Sequence, residues 1–297
     1  MSTPSLPSDH FLHCYQFTET NHRDVYPALQ TVIADSQVGK TVLITGASRG
    51  IGRGIASAFA KAGASGLVLA ARNVQKLEET KAEILKINGK AKVVVVSVDT
   101  TSPEAVSVLE QAVKDAFGHV DILVNNAGIG GRGLVKDIDV NKWWSDMEVN
   151  VKGTFLVTQA YLRLLPADKR GFIGNVGSYA AEMAIPDASS YIVSKLAVHR
   201  FTELVALENP NVQVVALHPG SVMTSIVADM SDFAHFARDK VGLSGDFAVY
   251  ICSERASYLN GRYASCNWDV RELEAKKDEI ISKDLLKERL AGVYSTV

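Results

Sequence analysis

Tyr191 and Lys195 stand four residues apart in the stretch SYIVSKLAVH, and Ser178 lies thirteen residues before the tyrosine. If the stretch is helical, a phenol and an ammonium project from one face, a turn apart. A free tyrosine has a pKa of about 10, too high for proton transfer near neutrality. A neighbouring ammonium favours the phenolate, so the pair can work as a general acid and base. Taken alone the spacing is a weak signal, because Tyr-x-x-x-Lys occurs in many helices that do no chemistry.

A second constellation lies nearer the N-terminus. KTVLITGAS (40–48) reads as a strand entering a turn, and Gly46, Gly50 and Gly52 follow with Ser48, Arg49 and Ile51 between them. That spacing gives a tight turn, close approach of backbone to a pyrophosphate, and free N–H groups at a helix N-terminus. The next strand, GLVLAA (66–71), ends at Ala71 with Arg72 after it. Dinucleotide sites that prefer NAD place an acidic residue there to hold the ribose hydroxyls. Arg49 and Arg72, with no carboxylate beside them, suit a 2′-phosphate instead, each charge-assisted bond contributing about 1.5–3 kcal/mol. NADP(H) is expected in preference to NAD(H).

The elements needed to position these groups can be read along the chain. Helical stretches at Ile51–Lys61, Val74–Asn88, 102–118, Trp143–Leu165 and Ser190–Leu207 alternate with β-rich runs at 66–71, 92–99, 121–128, 171–178 and 212–220. KVVVVSVD (92–99) has the valine run of a strand buried on both faces. The alternation predicts an α/β fold, a doubly wound Rossmann-type parallel sheet of about seven strands with helices on both faces. Residues 39–270 form the expected catalytic domain. Residues 1–38, with Pro4, Pro7 and Pro27, read as an arm with little regular structure, and 271–297 as a charged amphipathic helix and tail carrying Leu273, Ile280, Ile281, Leu285 and Leu290 on one side.

Composition narrows the function class. The 297 residues are 47% apolar and carry a net charge of −2, with no basic run that would suit a nucleic acid. No apolar run reaches the ~18–20 residues of a membrane span. The first residues lack a basic start followed by an apolar segment, so no secretory signal is expected. Three cysteines without CxxC spacing suggest neither disulfides nor a structural zinc, and point to the cytoplasm. Seven histidines with no HxxxH or HExxH pair give no support to a metal enzyme.

Taken together, the motifs resemble those of the short-chain dehydrogenase/reductase family, in order and over residues ~40–270. TGASRGIG matches the family's TGxxxGxG. Asp99 matches its adenine-contacting Asp, and Asn125-Asn126-Ala127-Gly128 its NNAG, in which Asn126 supports the backbone beside the cofactor. Asn150 in VNVKGTF, Ser178, Tyr191 and Lys195 match its catalytic set, and Pro219, Gly220 and Thr224 its Pro-Gly and threonine. The resemblance implies reversible hydride transfer between nicotinamide and a carbonyl or alcohol carbon. Tyr191 then exchanges the proton, Lys195 holds the ribose hydroxyls and tunes the tyrosine, Ser178 donates to the substrate oxygen, and Asn150 positions a relay water. It also implies a homodimer or homotetramer. Other chemistry on the same scaffold (imine reduction, dehydration or epimerisation) stays open, as does NADP(H) binding without turnover, although such proteins tend to lose the Ser, Tyr or Lys retained here.

Parts of the chain depart from the pattern. Gly177 in GNVGS stands where many relatives have a second small polar residue. Val222–Leu243 is expected to cover the substrate, with Phe233, His235 and Phe236 as candidate walls for a moderately hydrophobic molecule. His218 and Cys252 read as structural, and Trp143 and Trp144 as core, subunit-contact or pocket-edge residues. HRDVYPAL in the arm and NWDV near the end resemble a subgroup met in filamentous fungi.

Overall fold

The computed structural model describes residues 6–228 and 233–290. Residues 1–5 of the expected arm, 229–232 of the expected substrate cover and 291–297 of the expected tail lie outside the described residues. The chain begins with two short helices, α1 (His10–Cys14) and α2 (Pro27–Ile33), then β1 (Thr41–Thr45), α3 (Gly50–Lys61), β2 (Gly66–Ala71), α4 (Val74–Ile87), β3 (Lys92–Ser97) and α5 (Pro103–Phe117). It continues through β4 (Ile122–Asn125), α6 (Val140–Met147), α7 (Thr154–Leu164), β5 (Gly171–Val176), α8 (Ser189–Glu208) and β6 (Val212–His218). Last come α9 (Ser225–Ala228), α10 (Val241–Ile251), β7 (Arg262–Ser265), α11 (Val270–Ala275) and α12 (Lys277–Ser282).

The strands form one sheet in the order β3-β2-β1-β4-β5-β6-β7, with every neighbouring pair parallel. This is the doubly wound α/β fold expected from the alternation. Successive residues of a strand face opposite sides. Ile44 and Leu69 accordingly pack with Ile55, Phe59 and Phe247 on one side, while Leu43 and Val68 pack with Leu109, Val113 and Tyr161 on the other. Local signals set the helix ends. The Ser102 side chain accepts from the Ala105 amide, Pro103 occupies the first turn of α5, and Gly118 closes it at φ 74. Among the described residues no helix is long and apolar enough to cross a membrane.

Three expectations change. β3 lies at the edge of the sheet, so Val94 and Val95 are only half-buried despite the unbroken valine run. The stretch expected as one helix over Trp143–Leu165 is α6 and α7 joined by a π-helical segment, Glu148–Gly153. The expected tail helix breaks into α11 and α12, after which Asp284 and Leu286 adopt positive φ. The cause lies in β7, whose outer edge needs partners: the Tyr263 amide donates to the Leu286 carbonyl at 2.9 Å, which draws the tail out of helical form. Leu273 and Ile280 are buried, whereas Ile281 and Leu290 are exposed.

The arm also departs from its expected irregularity. Pro27 starts α2, and Leu29 and Ile33, one turn apart, are buried in the core. The HRDVYPAL and NWDV motifs latch onto each other. The His22 amide donates to the Asn267 carbonyl at 2.7 Å, His22 pairs with Asp269 at 2.9 Å, and the Tyr26 hydroxyl accepts from the Val270 amide at 2.9 Å. Leu29→Ala, in an arm packed as part of the core, is expected to lower unfolding free energy by about 2–5 kcal/mol in urea titration; an unchanged midpoint would show that the arm packs loosely.

Candidate functional site

In an open parallel sheet the ligand crevice lies beyond the carboxyl ends of the strands, where the strand order reverses. Here the reversal falls between β1 and β4, and the loops after β1 to β6 enclose a cleft of about 1230 Å³. Gly46, Ser48, Arg49, Gly50, Ile51 and Gly52 line it after β1, and Arg72 and Asp99 after β2 and β3. Asn126, Ala127 and Gly128 line it after β4, and Ser178, Tyr191 and Lys195 on the β5 side. Pro219, Gly220 and Thr224 complete it after β6. Asn150 is buried and does not line the cleft.

The glycine loop is held by close approach. Gly46 has φ +65, and a Cβ on Gly52 would lie 2.3 Å from the Gly46 carbonyl oxygen, so neither position admits a side chain. The Asn126 side chain donates to the Thr45 carbonyl at 2.9 Å. Thr45 Oγ1 accepts from the Asn126 and Ala127 amides, each at 3.0 Å. At the start of α3 the N-cap residue, Arg49, offers no side-chain hydrogen bond, so the first-turn N–H groups have no side-chain acceptor there. Donors at a helix N-terminus beside a glycine cradle fit a diphosphate. Arg49 and Arg72 are exposed and Ala71 is half-buried, all on the same cleft. Asp99 accepts from the Thr101 amide at 3.0 Å and hydroxyl at 2.8 Å, and these bonds hold its carboxyl below the usual range.

At the other end, α8 presents Tyr191 and Lys195 one turn apart. Lys195 is 5% exposed and donates from Nζ to the Val176 carbonyl at 2.8 Å, with Nζ 5.8 Å from the centre of the Tyr191 ring. Burial pushes Lys195 down to about 8, against the pull of the Asp146 carboxylate. The phenol departs from the expectation drawn from the sequence. Burial raises Tyr191, the Ser178 side chain works the other way, and Asp146 adds to the rise. Desolvation dominates, and Tyr191 keeps its proton at neutral pH.

Asn150 is fully engaged. Its Oδ1 accepts from the Ile129 amide at 2.9 Å, and its Nδ2 donates to the Ile129 carbonyl and to Ser194 Oγ, each at 2.9 Å. It lies in the π-helical segment, a distortion common at functional sites. Asp146, four residues earlier, is 1% exposed and accepts from Ser190 Oγ at 2.6 Å and the Gly131 amide at 2.8 Å. Neither Asp146 nor Tyr179 stood out in the sequence, since a helical Asp and an aromatic after a serine are commonplace. Tyr179 stacks against Phe11 of α1 at 5.5 Å between ring centres, and Phe11 against Phe233 at 5.5 Å.

Phe233 and Phe236 line the cleft as expected, whereas His235 is exposed and does not line it. Trp144 is at the edge of the cleft, and Trp143 donates from Nε1 to Ser189 Oγ at 3.1 Å. His218 accepts the Tyr179 amide on Nδ1 at 3.3 Å, and burial pushes its pKa down to about 3. Cys252 is buried, and burial raises its thiol.

Known proteins resemble the chain in sequence and in fold. The short chain dehydrogenase family model matches residues 40–234. The short chain dehydrogenase pigC of Monascus ruber is 36% identical over 285 residues, covering 92% of this chain and 93% of that one. The short chain dehydrogenase mpl6 of Monascus purpureus is 38% identical over 283 residues, covering 93% and 97%. Among solved structures, L-sorbose reductase from Gluconobacter frateurii, complexed with NADPH and L-sorbose, superimposes with a TM-score of 0.70 at 30% identity, covering 78% of this chain and 96% of that one. With the family match spanning more than half of its length and full-length relatives above 30% identity, the chain belongs to the short-chain dehydrogenase family.

Proposed function

We propose that the protein is an NADP(H)-dependent oxidoreductase that interconverts a ketone or aldehyde and the corresponding alcohol. The observation that carries this reading is the meeting of Ser178, Tyr191 and Lys195 in the same cleft as the glycine loop and the two arginines. The L-sorbose reductase that it resembles was solved with NADPH, which supports the choice of cofactor. The α3 N-terminus and the Gly46–Gly52 loop would hold the diphosphate, Arg49 and Arg72 the 2′-phosphate, and Lys195 the nicotinamide ribose. The nicotinamide, when bound, supplies or accepts the hydride.

The remaining work falls to the chain. Ser178 Oγ and Tyr191 Oη hold the substrate oxygen between them, and in reduction Tyr191, which keeps its proton, gives it to that oxygen. Lys195 carries the charge that offsets the phenolate left behind. Because both ends of the Asn150 side chain are engaged, a relay water there would donate to its main-chain carbonyl. The walls formed by Tyr179, Phe233 and Phe236 suit a moderately hydrophobic substrate. Exposed Phe155 on α7 and Val193, Leu196 and Leu207 on α8 fit a contact between copies in a dimer or tetramer. We place the protein in the cytoplasm on its cysteine usage.

Three measurements test the reading. Tyr191→Phe is expected to lower kcat for carbonyl reduction by at least ~100-fold while NADPH binding persists, as removal of a general acid requires; unchanged turnover overturns the assignment. Arg49→Ala or Arg72→Ala should raise the Kd of NADPH by about ten- to a hundredfold and that of NADH far less. Equal or tighter NADH binding by the wild type refutes the cofactor preference. In reduction both Tyr191 and Lys195 act protonated, so kcat/KM should hold steady below pH 8 and fall as the pH rises through about 8, where Lys195 loses its proton. A profile flat to pH 10 would place the titration elsewhere.

A further inference from the structure

Helix α8 carries another buried titratable group one turn beyond Lys195. His199 is 2% exposed, and its ring lies beneath the turn that presents Ser178. The Ser178 amide donates to His199 Nε2 at 3.2 Å, so that nitrogen acts as an acceptor. The ring also explains Gly177, since a Cβ there would lie 2.3 Å from Nε2. The glycine that departs from the family pattern makes room for the imidazole.

The proton then sits on Nδ1, which faces two carboxylates, Glu288 Oε1 at 3.0 Å and Glu182 Oε1 at 3.3 Å. Glu182 ends the short turn after Ser178, and its carbonyl accepts from the Tyr15 hydroxyl at 3.2 Å. Glu288 arrives from the far end of the chain and is fixed to α8 at two points. Its amide donates to Glu203 Oε1 at 2.8 Å, and its carbonyl accepts from Arg200 at 2.9 Å. The His199 bond holds Glu182 below the usual carboxylate range, while burial raises Glu288. Both carboxylates converge on the Nδ1 proton, Glu288 at the shorter distance.

A divalent cation is the obvious rival, because the three side chains offer ligand atoms within 4.8 Å of one another. The Ser178 amide argues against it. A cation on Nδ1 of a neutral ring leaves the proton on Nε2, where it would meet the Ser178 N–H head-on. An imidazolium fails for the same reason, although the two carboxylates push the ring pKa up against the effect of burial. Only the neutral ring protonated on Nδ1 satisfies every neighbour.

We propose that Glu288 is a positioning residue: by holding His199 in the tautomer that accepts the Ser178 amide, the C-terminal segment sets Ser178 for reaction. This rests on Ser178 being the group that faces the substrate oxygen. The test uses the full-length protein, with Glu288→Ala and Glu288→Gln compared to wild type. Glu288→Ala should lower kcat about tenfold, the scale of a small misplacement at a reacting centre, with NADPH binding and Tm kept. Glu288→Gln, whose amide oxygen still accepts from Nδ1–H, should restore kcat to within about twofold of wild type.

Histidine ring ¹⁵N spectra add a readout independent of turnover. His199 should carry its proton on Nδ1 in the wild type and in Glu288→Gln, and show a weakened preference in Glu288→Ala, where of the two carboxylates only Glu182 at 3.3 Å remains. The proposal is overturned if Glu288→Ala turns over at the wild-type rate, if its loss comes with weaker NADPH binding or a lower Tm, or if wild-type His199 is protonated on Nε2. Should the wild type reduce no carbonyl compound, the functional reading fails, and the ring spectra still decide for or against the role of Glu288.

Discussion

Lys195 holds an amino group where only 5% of the residue reaches solvent, and its one acceptor among the described residues is the Val176 carbonyl. An ammonium taken out of water that far is stable only if nearby groups repay its hydration. Much of the cleft can be understood as that repayment. Val176 ends β5 and turns its carbonyl toward α8, and Asp146 supplies the balancing negative charge from α6. Gly128 keeps the loop after β4 close, since a Cβ there would approach both Asn150 Oδ1, at 3.2 Å, and Lys195 Nζ, at 3.5 Å. The lysine is thus tied to three separate crossovers of the fold.

The same economy governs the cofactor end. Parallel strands point their carboxyl ends at one rim, and the reversal of order at β1 and β4 opens the rim into a crevice. Thr45 closes the joint between those strands by taking two amides on one hydroxyl. The loop after β4 is therefore positioned by the strand that carries the glycine loop, and it in turn meets Asn150 and Lys195. One continuous chain of hydrogen bonds and close approaches runs from the glycine loop toward the proposed proton donor.

The parts legible in the sequence were those whose chemistry is local. Gly46, Gly50 and Gly52 sit on one turn, Tyr191 and Lys195 on one helix, and the period of apolar residues reports which face of each strand is covered. What escaped depended on partners distant in sequence. The valines of β3 looked doubly buried because no residue in that strand encodes its place at the sheet edge. The tail pattern looked helical because the unsatisfied edge of β7 lies outside the segment it unwinds. Asp146 and His199 were silent for a related reason: each gains its meaning from Gly131, Ser190, Ser178 or Glu288, brought near only by the fold.

The latch between HRDVYPAL and NWDV has a consequence for how the chain is made. Tyr26 and Val270, joined by a hydrogen bond, are 244 residues apart. A ribosome adding about 5–20 residues per second needs roughly 12–50 seconds to cover that distance. Throughout that interval Tyr26, Leu29 and Ile33 have left the exit tunnel without the surface that finally covers them. A segment made 244 residues before its partner is among the last to find its place, and the nascent protein carries a small, sticky apolar flag until β7 and the start of α11 are synthesised. A chaperone that grips short hydrophobic segments would find one in Tyr26, Leu29 and Ile33 during that interval.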